Sequence, residues 1–182
     1  MLFARVESSI TVSVTGRRVS HTQPFLLWPA ELIVTSSPFR VIVVDDFEPW
    51  RSFVCATLKE HSQSWLVSEA SDGLEAVRQA HELQPDLIVL DIGLPKLHGI
   101  EAARRIRDKS PETKILFLTE RRSLEIVQEA LRLGASGFIV KSDAVELLAA
   151  VEAIRQNRIF LSKSLESAPL ETPDRDSDRT DG

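Results

Sequence analysis

The sequence predicts an α/β fold in which helices cover both faces of a five-stranded parallel sheet, and three observations lead there. Short runs of branched apolar residues recur from position 40 onward, among them Val41-Ile-Val-Val44, Leu87-Ile-Val-Leu90, Ile115-Leu-Phe-Leu118 and Phe138-Ile-Val140. Such runs are too short for helices and fit strands buried on both faces. Between them, apolar residues recur at helical spacing, and Gly and Pro mark the joints. Strand and helix alternating in this way implies right-handed crossovers between parallel strands.

Taken in order, the first strand is 40–44, and a helix follows over about 48–61 with Trp50, Val54 and Leu58 on one face. The second strand, 65–70, is the least apolar and so belongs at a sheet edge. Asp72-Gly73 is a turn or cap before a helix whose stripe is Leu74, Val77 and His81. Pro85 precedes the third strand, 86–90, and Gly93, Pro95 and Gly99 mark a loop. Ile100, Ala103 and Ile106 form the next stripe, which Pro111 stops before the fourth strand, 114–118. Leu124, Val127 and Leu131 follow, with Gly134 where a C-terminal cap belongs. The fifth strand is 136–140, and Val145, Leu148, Val151 and Ile154 line the last helix.

The ends differ from this middle. Residues 1–38, broken by Pro24, Pro29 and Pro38, read as a poorly ordered arm, with a short hairpin around Ile10–Val14 as the alternative. From 165 to 182 the chain is acidic and polar among prolines and serines, and such a tail buries too little apolar surface to order itself. That leaves one domain, 39–164, in a chain of 182 residues. The net charge of −5 gives no support to non-specific nucleic-acid binding. The densest basic spots, Arg104-Arg105 and Arg121-Arg122, read as solvated helix faces. Cys55 is the only cysteine, so no intramolecular disulfide forms and a small core residue is the expectation. His21, His61, His81 and His98 show no metal-ligand spacing. With no membrane-length apolar segment and no signal peptide, the expected location is the cytoplasm.

Function is read from what ends each apolar run. Asp45 and Asp46 follow the first, Asp91 the third, Thr119 the fourth and Lys141 the fifth. Parallel strands end on one rim, and ligands bind outside their carboxyl ends. Three carboxylates, a hydroxyl and an ammonium on one rim suit a divalent cation and a phosphoryl group. Magnesium takes one or two carboxylates and keeps waters or phosphate oxygens in its other positions. Asp46 and Asp91 are the expected direct ligands, with Asp45 acting through water. A carboxylate can also be a nucleophile that forms an aspartyl phosphate, while the cation, Lys141 and Thr119 meet the phosphoryl oxygens. Singly, an Asp-Asp pair reads as a solvated turn, a strand-ending Lys as a surface residue and a strand-ending Thr as a cap. All five in this order point to chemistry.

The segments Val43-Val-Asp-Asp46, Pro85-Asp-Leu-Ile-Val-Leu-Asp-Ile-Gly-Leu-Pro95, Gly99-Ile-Glu-Ala102, Phe117-Leu-Thr119 and Gly134-Ala-Ser-Gly-Phe-Ile-Val-Lys141 resemble the receiver domain of bacterial two-component response regulators. Phe39 to about Ser164 is similar, most of all to receivers of the class that usually carries a C-terminal helix-turn-helix. The resemblance implies a flavodoxin-like sheet of order 2-1-3-4-5, with Asp91 as phosphoacceptor and Asp45 and Asp46 as the metal pair. It further implies the Gly93 backbone carbonyl as third Mg²⁺ ligand, Lys141 as phosphate-binding lysine, and Thr119 and Phe138 as the switch pair. Glu120 stands where the family commonly has a small residue, and Ser142 where many members have Pro.

The residues after the last helix fall short of a ~50-residue domain. The expectation is therefore a stand-alone switch with no direct DNA binding, no membrane contact and no turnover of an external substrate. A sensor histidine kinase or phosphotransfer protein would supply the phosphoryl group and a downstream protein would read it; a homodimer is compatible with this. Two alternatives stand beside it. One is a phosphate-independent receiver-like scaffold. The other is a haloacid-dehalogenase-like phosphatase, whose second Asp would fall where Gly93 stands.

Overall fold

The computed structural model describes residues 37–120 and 123–166; the expectations for the arm through 36, for Arg121-Arg122 and for the tail from 167 lie outside them. Strands and helices alternate as β1 (Arg40–Val44), α1 (Glu48–His61), β2 (Leu66–Ala70), α2 (Gly73–Leu83), β3 (Leu87–Asp91), α3 (Gly99–Lys109), β4 (Lys114–Thr119), α4 (Leu124–Arg132) and β5 (Gly137–Val140). A 3₁₀ segment (Lys141–Glu146) leads into α5 (Leu147–Arg155), followed by β6 (Phe160–Leu161) and one helical turn, α6 (Lys163–Glu166). The sheet runs β2-β1-β3-β4-β5-β6 with every pairing parallel. This is the predicted order, with a two-residue strand added beyond β5. The apolar run Ile159-Phe-Leu161 is too short to show strand periodicity, so the sequence does not predict β6.

Alternation along the strands sorts the core into two layers. Ile42, Val44, Ile88, Leu90, Ile115, Phe117, Phe138 and Val140 face the layer shared with α2, α3 and α4. Val41, Val43, Leu87, Val89, Leu116, Leu118 and Ile139 face α1 and α5. On α1, Val54 and Leu58 are buried as predicted, together with Cys55. On α3, Ile100, Ala103 and Ile106 are likewise buried. Gly134, at φ 76°, ends the turn after α4, as a residue without a Cβ does most easily.

Three stripes differ from expectation. α2 buries Gly73, Ala76 and Ala80, whereas Leu74 is 48% exposed and His81 lies on the surface. The small residues are required by close approach: a Cβ on Gly73 would collide with the carbonyl oxygen of Leu97 in the β3–α3 loop. Val145 is 93% exposed, because the 3₁₀ segment changes the angular phase before α5 begins; Val151 and Ile154 are buried as predicted, joined by Leu147 and Ala150. On α4, Val127 and Ala130 are buried while Leu131 is 40% exposed. At the other end, Leu165 is buried within α6, so order runs past the expected boundary at 164. The Lys141–Ser142 peptide bond is trans, like every peptide bond among the described residues.

Candidate functional site

The period of two along each strand settles which side chains meet. Asp45 continues the face of Val41 and Val43, Asp91 that of Leu87 and Val89, and Lys141 that of Ile139, so all three stand on the α1/α5 side. The Lys141 Nζ lies 2.7 Å from Asp45 Oδ2 and 2.9 Å from Asp91 Oδ1. Asp45 is fully buried and Asp91 nearly so. The Phe47 N–H donates to Asp45 Oδ1 at 2.9 Å, and Arg51, itself paired with Glu69 at 3.1 Å, donates to the Asp45 carbonyl at 2.7 Å. Asp45 Oδ2 has the Lys141 ammonium as its partner. The Trp50 ring, 5.8 Å from Nζ at its centroid, adds a cation–π contact from α1.

Burial holds the Asp45 carboxyl above its ordinary range, against the opposing pull of Lys141 and the Phe47 N–H. For Lys141, burial disfavours the charge, but hydrogen bonds and attraction from Asp45 and Asp91 outweigh it, so its pKa rises and it stays an ammonium at neutral pH.

Beside this group lies a cavity of about 420 Å³, lined by Asp46, Asp91, Gly93, Thr119, Glu120 and Lys141, with Phe47, Ile92, His98 and Ile126 completing the wall. Asp46, one residue beyond the buried Asp45, is exposed to it. Glu120 is exposed at its rim. Thr119 is buried and continues the face of Ile115 and Phe117, the opposite face from Lys141. On that face, Phe138 is 1% exposed with its ring 6.1 Å from Phe117, and Thr119 is in register with Val140. Gly99 keeps the loop tight: a Cβ there would collide with the Asp91 carbonyl oxygen.

The structure therefore brings five of the predicted residues to one cavity wall and buries Asp45 directly behind it. Among the described residues no three carboxylate, imidazole or thiolate groups gather as a ready-made cage. Asp46, Asp91 and the Gly93 carbonyl could still hold a cation that keeps most of its water, the usual habit of magnesium. Sequence reasoning missed Trp50, Arg51 and His98 as neighbours of the site. The helical stripe identified Trp50 as buried, but only the placing of α1 beside β5's end shows that it faces Lys141.

A family model for the response regulator receiver domain matches residues 41–152. The chain belongs to that family. It is 30% identical over 129 residues to the transcriptional regulatory protein DegU of Brevibacillus brevis, covering 70% of this chain and 55% of that one. Among solved structures, a LuxR-family two-component response regulator from Aurantimonas sp. SI85-9A1 superposes with a TM-score of 0.66 at 35% identity, over 70% of this chain and 91% of that one. The chemotaxis protein CheY4 of Vibrio cholerae superposes with a TM-score of 0.59 at 33% identity, over 63% and 97% of the two chains. The chain spans about half the length of the curated relatives it matches. The receiver fold and its place in two-component signalling are thus shown, and no helix among the described residues is long and apolar enough to cross a membrane.

Proposed function

We propose that this receiver is a phosphorylation-controlled switch in which Asp91 accepts a phosphoryl group from a sensor histidine kinase or phosphotransfer protein. The observation that carries this is the Lys141 ammonium held 2.9 Å from the Asp91 carboxylate at the wall of an open cavity that Asp46 and Thr119 share. An Asp91 oxygen attacks phosphorus, the donor's phosphorus–nitrogen bond breaks, and the departing imidazole takes up a proton. Lys141 and the Thr119 hydroxyl meet the phosphoryl oxygens as charge-assisted donors. Asp46, Asp91 and the Gly93 carbonyl would hold Mg²⁺, with Asp45 acting through water; when bound, the ion neutralises charge on the phosphoryl oxygens. From behind Asp91, Asp45 also holds the Lys141 ammonium in place. No external substrate is turned over.

The output is contact with another protein. Two features favour this over direct DNA contact: the net charge of −5, and the pairing of Arg104 and Arg105 with Glu101 and Glu129. The receiver unit is proposed to be 39–164, with the arm 1–38 and the acidic tail 165–182 dispensable for phosphorylation. Treatment with acetyl phosphate and Mg²⁺ followed by peptide mass spectrometry should place one label on Asp91 and none in Asp91→Ala. Full labelling of that variant would refute the assignment. An unlabelled wild type that still captures its partner would favour the phosphate-independent scaffold.

A further inference from the structure

We infer that residues 159–166, which follow α5, form a strap that positions Lys141 for phosphoryl transfer, with Ser162 as its central positioning residue. The inference rests on the proposed function above and extends it to residues outside the family-matched segment 41–152.

The strap's polar contacts fall on either side of Lys141. Phe160 and Leu161 pair with Gly137 and Phe138, and the Ser162 N–H donates to the Phe138 carbonyl at 3.0 Å. The next donor along β5 is the Val140 N–H, the residue immediately before Lys141. The Ser162 hydroxyl accepts it at 3.2 Å, and Ser162 is fully buried. Beyond Lys141, Asp143 accepts the Ser164 N–H at 3.3 Å and Glu146 accepts the Lys163 N–H at 3.2 Å. Leu161 and Leu165 pack on the same core layer as Phe138 and Val140.

The segment needs such support. Lys141 opens a 3₁₀ turn, whose hydrogen bonds are poorer than those of an α-helix, and Asp143 within it departs from helical geometry at φ −102°, ψ 26°. Its backbone is thus held by its own turn weakly and by the strap from outside. None of the strap residues lines the cavity, and the strap's hydrogen bonds go to β5 and the 3₁₀ segment, whereas Asp46 and Asp91 stand at the ends of β1 and β3. The strap therefore bears first on the backbone that carries the ammonium.

The test uses the full chain. Ser162→Ala should lower the labelling rate constant at saturating acetyl phosphate by roughly tenfold, since a misplacement of about 1 Å in a catalytic group can cost about a hundredfold. The Mg²⁺ concentration for half-maximal rate should stay within about twofold of wild type. Ser162→Thr, which keeps the hydroxyl, should restore the rate. Should Ser162→Ala fold poorly, Glu146→Ala loosens the strap from its exposed end and should show the same split. A folded Ser162→Ala labelled at the wild-type rate would overturn the inference. So would a parallel shift in Mg²⁺ dependence, which marks general loosening. Lys141→Ala serves as the separate control: labelling of that variant at the wild-type rate would overturn the proposed function itself.

Discussion

Replacing Lys141 with Met should destabilise the protein in a pH-dependent way that identifies Asp45 as the cause. Lys141 Nζ is the ion-pair partner of Asp45 Oδ2, and the Asp45 side chain is 0% exposed. Removing one member of a buried pair leaves an uncompensated charge at a cost of about 3–5 kcal/mol. The lower end applies here, because the Phe47 N–H still donates to Oδ1. About 3 kcal/mol is a large share of the roughly 5–15 kcal/mol of a domain, and shifts Tm by about 10 °C at this size. The sign with pH follows from the direction of the Asp45 shift. A carboxyl raised in the folded state contributes fully below its ordinary value of 3.8 and loses that contribution as pH rises through the folded value. Without the ammonium the folded value rises further, so the deficit of Lys141→Met should be largest near pH 7 and shrink as pH falls toward 4. Urea melts at pH 7, 6, 5 and 4 provide the measurement. Asp45→Asn, which keeps the Phe47 contact, should recover most of the loss in the double variant. An equal deficit at pH 7 and pH 4, or no recovery in the double variant, would refute the reasoning.

Further outcomes follow from single contacts. Gly99→Ala should lower stability by roughly 2–3 kcal/mol in urea melts, because its Cβ meets the Asp91 carbonyl and overpacking forces backbone apart. Cys55, whose thiol is pushed up to about 11 by burial first and Glu69 second, should resist a thiol reagent at pH 8 until the protein is unfolded. Asp72 caps α2 by accepting the Glu75 N–H at 2.9 Å, and the hydrogen bond from Lys96 holds its carboxyl below the usual range. Its charged form therefore contributes above 3.8, and that contribution fades as pH falls through the lowered folded value. Asp72→Ala should cost about 1 kcal/mol at pH 7 through the lost cap, with the difference narrowing in strong acid.

The strands and the strand-end residues were legible because both are written in short local patterns. Four branched apolar residues ending in Asp91 or Thr119 need no tertiary knowledge to read, and parity along the strands then dictates that Asp45, Asp91 and Lys141 share a face. Helical faces were legible where large residues pack, as with Val54 and Leu58 on α1. They failed where close approach selects small ones: on α2 the buried stripe is Gly73, Ala76 and Ala80, which apolar periodicity passes over in favour of Leu74. Val145 failed for another reason, since a 3₁₀ turn inserted before α5 shifts the phase without leaving a Gly or Pro to mark it. The difference between Asp45 and Asp46 was only partly readable. Adjacent side chains diverge, which suggests distinct roles, but that Asp45 is sealed against Lys141 depends on where β5 ends. Ser162 left no signal at all, because a buried serine bonding to a distant N–H looks in sequence like any loop serine.

These placements bear on how the proposed switch would couple. The charge chemistry sits on the α1/α5 face, while Thr119 and Phe138 sit on the opposite face. Two routes join them: the β4–β5 register that sets Thr119 beside Val140, and the β5 backbone that carries both Phe138 and Lys141. The strap grips that backbone at the Phe138 carbonyl and the Val140 N–H, and Leu161 lies in register beside Phe138. Any outward turn of the buried Phe138 ring must therefore disturb Leu161 as well as the contact with Phe117. A phosphoryl group shifts such an equilibrium only by the difference in its interactions with the two arrangements. One charge-assisted hydrogen bond from Thr119 supplies about 1.5–3 kcal/mol, enough for roughly a ten- to hundredfold change. Against that, full burial of a Leu contributes about 1.5–3 kcal/mol, and the partly buried Leu161 contributes less. The Leu161 contact with Phe138 is thus no larger than the signal, so phosphorylation at Asp91 would carry enough energy to rearrange the β5–β6 edge together with the Phe138 ring.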